Sequence, residues 1–403
     1  MGGCEGGAKL EHMEEKVAVA MSGGVDSAVA AALLKEQGYE VVAAHFRLYP
    51  SADSQAAERS VERAAECLNV PFVVWDLRAL FRRKVMDYFL EEYRRGRTPV
   101  PCAVCNREIK FGFFLEKAIQ ELGVSKIATG HYARVARATG GRERGHRGRN
   151  HRLLAGRDAA RDQSYFLWML TQTQLSHILF PIGEKTKKEV REKARALGLP
   201  CADRPKSQGI CFLGFSGVDD FLRERLPIRK GPVTNAGGEA IGEHDGVWFY
   251  TEGQRRGFSA RGGGYPLYVI GKDVKTNTLI VGRGRESAVS RFTVENVNWI
   301  NPAMSNKQLA TGKLGVRIRH LGEIMPAAIE SKDSKLKLGV GGQEPTVVTL
   351  AAPTRGVAPG QSAVFYTGEE VLGGGVIKEI KDQSSRRKDE IQDQELATCG
   401  NSV

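Results

Sequence analysis

Apolar and polar positions divide the chain into two textures. From residue 16 to about residue 130, short apolar runs alternate with longer stretches in which apolar residues recur at helical spacing. Lys16-Val-Ala-Val-Ala-Met21 reads as a buried strand. Ala28-Val-Ala-Ala-Ala-Leu-Leu-Lys-Glu36 reads as an Ala/Leu-rich helix ended by Gly38. Val41 to Phe46, Pro71 to Trp75 and Ser125 to Ala128 read as further strands, with helices over Gln55 to Asn69, Leu80 to Tyr93 and Asn106 to Leu122. The alternation predicts an α/β domain, a parallel sheet with helices on both faces, whose ligands bind at the carboxyl ends of the strands. Helical patterning returns from Ser164 to Leu197.

After about residue 216 glycine and turn pairs become dense. Leu267 to Gly271, Asp273 to Thr278 and Leu279 to Val281 read as a hairpin, and short β segments recur from Phe292 to about Ile380. The second texture predicts a small central domain followed by a C-terminal β-barrel. The expected division is an N-terminal extension over 1–15, the α/β domain over 16–215 with a basic insertion over about 137–152, a central domain over 216–290, the barrel over 291–380 and a polar tail over 381–403. Both ends are expected to be disordered on composition.

Length agrees with two or three domains: the chain has 403 residues. No apolar stretch is long enough to span a bilayer and the start carries no apolar signal segment, so a cytoplasmic protein with no membrane partner is expected. Seven cysteines do not suggest a disulfide framework. The net charge of +12 changes the picture more, because it points to a polyanionic partner, nucleic acid first. Residues 134–161 hold nine arginines against two acids, which reads either as a phosphate-contacting flap or as a solvated loop.

Chemistry enters at Ser22-Gly-Gly-Val-Asp-Ser27, on the turn between the first strand and the first helix. Backbone N–H groups and the helix dipole make an anion site there, and Gly23 and Gly24 let a ligand approach the backbone closely. Asp26 sets a carboxylate among phosphates, which makes sense with a magnesium ion. The turn lacks the lysine of a Walker loop. It resembles the PP-loop of ATP pyrophosphatases, which implies ATP, release of AMP and pyrophosphate, and Mg2+. That loop alone leaves the substrate open.

Two cysteines stand in turn-flanked contexts. Cys105 follows Pro99, Pro101 and Cys102, and a helix starting near Asn106 would place it at a helix N-terminus, where a thiolate is stabilised. Cys211 lies in Lys206-Ser-Gln-Gly-Ile-Cys-Phe-Leu-Gly214. With Cys105-Asn-Arg-Glu-Ile-Lys-Phe111, Ala128-Thr-Gly-His-Tyr-Ala-Arg134, Asp162-Gln-Ser-Tyr-Phe-Leu167, Tyr250-Thr-Glu-Gly-Gln-Arg-Arg-Gly257 and Pro359-Gly-Gln-Ser362, these strings resemble the bacterial tRNA-specific 2-thiouridylases over residues 16–380. The resemblance implies thiolation of the wobble uridine in the anticodon stem-loop of tRNA, with sulfur supplied by a donor protein fed by a cysteine desulfurase. It assigns the persulfide to Cys211 and the partner nucleophile to Cys105. It assigns Ala20, Met21, Ser22, Gly23, Gly24, Val25, Asp26, Ser27, Phe46 and Gly130 to the nucleotide. It assigns Val100, Pro101, Cys102, His131, Arg161, Asp162, Gln163, Arg317, Ile318 and Gln361 to the tRNA.

Two departures stand out. The family often has Asn-Pro-Asp where this chain has Val100-Pro101-Cys102, and an aromatic residue at the position of Ile318. The first creates Cys-x-x-Cys, and with Cys211 makes three thiols, an alternative ligand set for an iron–sulfur cluster. The rival readings are a PP-loop ligase for a small metabolite and a non-catalytic RNA-binding protein. The other histidines show no metal spacing, and Cys4, Cys67, Cys201 and Cys399 read as core or tail thiols.

Overall fold

A computed structural model describes residues 15–50, 52–137, 151–204, 209–214, 217–261, 264–301, 314–330 and 346–381. The two ends and most of the arginine-rich insertion lie outside the described residues. The first domain opens with β1 (Lys16–Ala20), α1 (Val25–Glu36), β2 (Glu40–Arg47), α2 (Ala52–Leu68) and β3 (Phe72–Asp76). Then α3 (Arg78–Phe81) runs through a π-helical turn, Arg82–Met86, into α4 (Asp87–Arg94). Next, α5 (Pro101–Cys105) runs through a longer π-helical stretch, Asn106–Phe113, into α6 (Phe114–Leu122), and β4 (Lys126–Thr129) follows.

These strands form a parallel sheet in the order β3-β2-β1-β4, completed by β7 (Ile178–Leu179). The sheet is parallel because each strand is followed by a helical crossover, and its strands are apolar on both faces because helices cover both. Val17, Ala18 and Val19 are fully buried. The chain moves outward from β1 to β3 on one side and returns to add β4 on the other. The carboxyl ends of β1 and β4 therefore flank the crevice where the winding reverses, the place such sheets bind ligands.

Between β4 and β7 lie a hairpin, β5 (Ala133–Arg137) and β6 (His151–Ala155), and a short helix, α7 (Gln172–Ser176); α8 (Lys187–Ala196) follows β7. The helical pattern expected from Ser164 to Leu197 is thus corrected to a 3-10 turn, Ser164–Phe166, two separate helices and a strand. Tyr165, Leu167, Trp168 and Leu170 are apolar because they are buried between domains, not because they share a helix face. Pro181 and Gly183 then interrupt any continuation.

The central domain contains α9 (Val218–Arg223) and a five-stranded sheet ordered β10-β9-β8-β12-β11, from β8 (Gly231–Thr234), β9 (Ala240–His244), β10 (Ser259–Ala260), β11 (Leu267–Asp273) and β12 (Thr278–Arg283). Here β11 and β12 form the expected hairpin. The last domain is an antiparallel barrel of β13 (Ala288–Trp299), β14 (Gly315–Arg317), β15 (Met325–Glu330), β16 (Thr346–Arg355), β17 (Ser362–Thr367) and β18 (Glu370–Ile380), closed where β13 pairs with β18. The hairpin β5–β6 adds to the outside of β18, pairing Leu154 with Glu370 and Leu153 with Val371. One hydrophobic cluster consequently runs from Ala18 in the first sheet through Trp168 to Val364 and Tyr366 in the barrel. Among the described residues, no helix is long and apolar enough to cross a membrane.

Candidate active site

The turn after β1 is built for close approach. Gly23 has φ +78°, and a β-carbon there would stand 2.6 Å from the Ala57 carbonyl oxygen. The Gly23 carbonyl accepts from Ser60 Oγ at 3.0 Å and Arg204 Nη1 at 3.1 Å, which fixes the turn against α2. Ser27 Oγ accepts from the Ser22 N–H at 3.2 Å and donates to the Gly24 carbonyl at 3.1 Å. No side chain caps α1, so N–H groups of its first turn stay available to an anion. Gly130 closes the crevice from the β4 side, since a β-carbon there would lie 2.6 Å from the Ser27 nitrogen. Ala20 and Met21 lead into the turn, and Phe46 lies half-buried at the end of β2, stacked on Trp75 at 6.2 Å.

Asp26 has partners that sequence reasoning missed. Its carboxylate takes Lys187 Nζ at 2.6 and 2.8 Å and the Tyr132 hydroxyl at 2.8 Å. Lys187 opens α8, behind a capping box of Thr186 and Glu189 legible in Thr-Lys-Lys-Glu, and Tyr132 lies in the Gly-His-Tyr string. Burial and the Asp26 charge push the Tyr132 hydroxyl far up, so it stays a neutral donor. Uncapped helix, glycine cradle, one partly exposed carboxylate and one ammonium suit a nucleotide triphosphate. The single carboxylate suits Mg2+, which prefers phosphates and water to an all-protein cage.

The thiols come together beyond this crevice. Proline is favoured at the first helical position, and the helix begins at Pro101 with Val100 as its N-cap. The expected helix start near Asn106 is therefore corrected. Cys105 lies past the first turn and is buried, beyond the orphan N–H groups, so the dipole argument for a reactive thiolate does not apply. Burial pushes its thiol up to about 11. Cys102 is half-buried and also raised by burial. Cys211 opens the 3-10 turn Cys211–Leu213. Its residue surface is open to solvent, yet crowding by protein atoms and then the Cys105 and Cys102 charges push its thiol up to about 12. Phe212 anchors that turn on Phe81 and Phe89, at 5.8 and 5.3 Å, within the cluster that holds Cys105. All three thiols are free. Among the described residues, no group of three or more His, Cys, Asp or Glu is arranged to hold a single metal ion.

The residues assigned to tRNA fall into two groups. Around the thiols, Val100 and Pro101 are buried and Cys102 is partly open. His131 is buried, with Nδ1 2.7 Å from Thr129 Oγ1 and Nε2 3.5 Å from Lys110 Nζ. At the junction of the first domain with the barrel, Asp162 is buried and accepts from Gly156 N, Ser164 N, Ser164 Oγ and Arg317 Nη1, the last at 2.7 Å. Gln163 accepts from the Tyr132 N–H, while Arg161 is half-exposed. Ile318 is buried in the barrel core, and Gln361 donates to the Thr98 carbonyl at 3.0 Å. Arg317→Met would strand the buried Asp162 charge, and a loss of about 3 kcal/mol is expected. Denaturant unfolding checks this. An unchanged midpoint would show that the Gly156 and Ser164 N–H groups and the Ser164 hydroxyl satisfy Asp162.

A Ser-Gly-Gly-x-Asp-Ser turn at the winding reversal of a parallel sheet, joined to a convergent thiol set, defines a PP-loop ATP pyrophosphatase. Family models described as tRNA methyl transferase HUP domain, tRNA methyl transferase PRC-barrel domain and Aminomethyltransferase beta-barrel domain match residues 15–215, 219–283 and 289–377. The chain is 41% identical over 379 residues to the tRNA-specific 2-thiouridylase MnmA of Heliobacterium modesticaldum, covering 91% of this chain and 93% of the relative. It is 38% identical to that of Bacillus pumilus, covering 91% and 96%. The chain belongs to the tRNA-specific 2-thiouridylase family. Among solved structures, the U34-tRNA thiolase NcsA of Methanococcus maripaludis is similar at 17% identity and a TM-score of 0.32, over 49% of this chain and 60% of that one.

Proposed function

We propose that this protein is an ATP-dependent tRNA sulfurtransferase of the cytoplasm that converts the wobble uridine to 2-thiouridine. The observation that carries the reading is that Cys105 packs in one hydrophobic cluster with Phe212, the neighbour of Cys211 and distant from Cys105 in sequence, in a chain that also holds an intact PP-loop. A methyl group needs neither adenylation nor paired thiols, so the words of the family-model description do not guide the chemistry.

A uracil carbonyl oxygen is a poor leaving group until adenylated. The turn Ser22–Ser27 and the first turn of α1 bind the phosphates. Asp26 would hold Mg2+, which supplies charge neutralisation at the phosphates when bound. Lys187 remains as a second counter-charge. The ring oxygen bonds to the α-phosphorus and pyrophosphate leaves. The deprotonated terminal sulfur of a Cys211 persulfide then bonds to the ring carbon, and the carbon–oxygen bond breaks as AMP departs with the electron pair. The Cys105 thiolate bonds to Cys211 Sγ. The sulfur–sulfur bond breaks and leaves its electrons on the sulfur retained by the base. The persulfide sulfur thereby gains two electrons and Cys105 and Cys211 lose two as a disulfide, which a cellular thiol reductant must reopen. A desulfurase-fed donor protein reloads Cys211.

Mass spectrometry of wobble nucleosides, after deletion of the gene and complementation with this chain, tests the reading. Absence of 2-thiouridine in the complemented strain would overturn it. Binding of tRNA is expected to be salt-sensitive, given the +12 charge. Deleting residues 140–150, which remove arginines but neither strand of the β5–β6 hairpin, should lower affinity and flatten the salt slope without changing which tRNAs are thiolated. Filter binding across a salt series reads the slope, and an unchanged slope would return the insertion to a solvated loop.

A further inference from the structure

We propose that Thr98 is a positioning residue for sulfur transfer: the barrel holds its backbone, the central domain holds its hydroxyl, and together they fix where the thiol helix α5 begins. The inference rests on the sulfur-transfer reading above and adds a residue to it.

The segment before α5 is stiff. A proline holds its own φ at about −65° and confines the residue before it to extended backbone. Pro99 and Pro101 do this to Thr98 and Val100 in turn. Pro101 is also the first residue of α5, which carries Cys102 and Cys105. Such a chain absorbs little displacement, so a shift at Thr98 reaches Pro101 and α5 moves with it. Neither proline has an N–H with which to anchor the segment, and Thr98 anchors it.

Every polar group of Thr98 is met by another domain. Its N–H donates to the Pro359 carbonyl at 2.7 Å, and its carbonyl accepts from Gln361 Nε2 at 3.0 Å, both on the barrel loop that leads into β17. Its hydroxyl shares a hydrogen bond of 2.9 Å with the Thr251 hydroxyl of the central domain. Thr98 is buried, so losing any of these bonds leaves a polar group without water. The barrel loop lies against its backbone: Gly360 has φ +93°, and a β-carbon there would stand 2.8 Å from the Thr98 nitrogen. Next to it, Arg97 Nη1 pairs with Glu295 of β13 at 2.8 Å.

The far ends of these bonds are fixed in turn. The Gly360 N–H donates to the Ile377 carbonyl on β18, and the Ile377 N–H donates to the Gln361 carbonyl, both at 2.8 Å. In the central domain, Lys272 Nζ donates to the Tyr250 carbonyl at 2.7 Å and pairs with Glu252 at 3.3 Å, so a buried lysine grips both neighbours of Thr251. Phe249 and Tyr250 share one hydrophobic cluster with Cys105 and with Phe212, the neighbour of Cys211. One central-domain segment therefore packs with the Cys211 turn and also holds the approach to the Cys105 helix. The bond between Thr98 and Thr251 sets the two thiol-bearing elements against each other. Attack of Cys105 on Cys211 Sγ depends on that setting. Adenylation does not, because the phosphate turn after β1 is held by Ser60 and Arg204.

The test follows two steps in one reaction. Full-length protein is mixed with tRNA, ATP, a thiol reductant, and cysteine with a cysteine desulfurase as the persulfide source. Pyrophosphate release and 2-thiouridine are measured together across tRNA concentrations. Thr98→Val keeps the shape and removes the hydroxyl. It should lower kcat for 2-thiouridine about tenfold through misplacement of a reacting sulfur. KM for tRNA and the single-turnover rate of pyrophosphate release should stay at wild-type values. Thr251→Val breaks the same bond from another domain. It should do the same, and it guards against misfolding of the first variant. Thr98→Ser, which keeps the hydroxyl, should restore the wild-type rate. The double valine variant should be no slower than either single one, since all three lack the same bond. A wild-type kcat in Thr98→Val, losses that multiply in the double variant, or pyrophosphate release that slows in step with thiolation would each overturn the proposal. Wild-type protein that makes no 2-thiouridine would sink the tRNA reading and this inference with it, whereas wild-type thiolation unmoved by either valine would sink the role of Thr98 alone.

Discussion

Cys211→Ser is expected to reduce wobble-uridine thiolation to background, a loss of at least about a thousandfold, because no other group replaces a covalent sulfur carrier. Adenylation should survive. Cys211 lies on a short 3-10 turn outside the parallel sheet, while the phosphate turn is held by Ser60, Arg204 and Ser27. A single turnover with tRNA should release pyrophosphate in a burst equal to the enzyme, with no 2-thiouridine. Cys105→Ser should stop at a different point, with a reductant-cleavable disulfide adduct between Cys211 and the tRNA base accumulating, which gel mobility with and without reductant and mass spectrometry can trap. Thiolation persisting in Cys211→Ser would break the relay mechanism. Brown anaerobic protein containing iron, with activity lost in Cys102→Ala, would replace it by cluster chemistry.

Asp26→Ala should act earlier. Its carboxylate gathers Lys187 and the Tyr132 hydroxyl at the start of α1. Without it the site loses its metal-binding oxygens and its clamp on Lys187, and AMP formation should fall about 100- to 1,000-fold. Affinity for tRNA should change little, because the residue sits in a crevice of one domain. Asp26→Asn keeps the shape and an acceptor for Tyr132 but removes the charge. If charge is the requirement, it should fall as far as alanine. ATP-dependent AMP release with parallel filter binding reads both, and near-normal AMP release would remove Asp26 from the adenylation machinery.

Much of this was legible in the chain. The first sheet followed from apolar runs spaced by helical stretches, and the hairpin over residues 267–283 from its turn residues. Family strings carried the thiols and the phosphate turn. A helix start near Asn106 follows from reading Pro99 and Pro101 as helix-breaking, whereas proline at the first helical position opens the helix at Pro101. Helical patterning over Ser164 to Leu197 misleads at Tyr165, Leu167, Trp168 and Leu170, because burial between two domains leaves the same apolar composition as burial along one helix. Lys187 is illegible for another reason. A lone lysine gains meaning from the charge that the fold sets beside it, and Asp26 is 161 residues away from Lys187.

The β5–β6 hairpin has a consequence for synthesis on the ribosome. Its outer neighbour, β18, is the last strand among the described residues, and it also closes the barrel onto β13. Tyr165 and Trp168, buried between the first domain and the barrel, donate hydrogen bonds to Ser362 on β17. The nascent first domain therefore waits with two large aromatic side chains unpartnered until β17 has emerged. A chain halted before Ser362 should expose them to quenchers and proteases, so assembly of the catalytic half is timed by synthesis of the barrel.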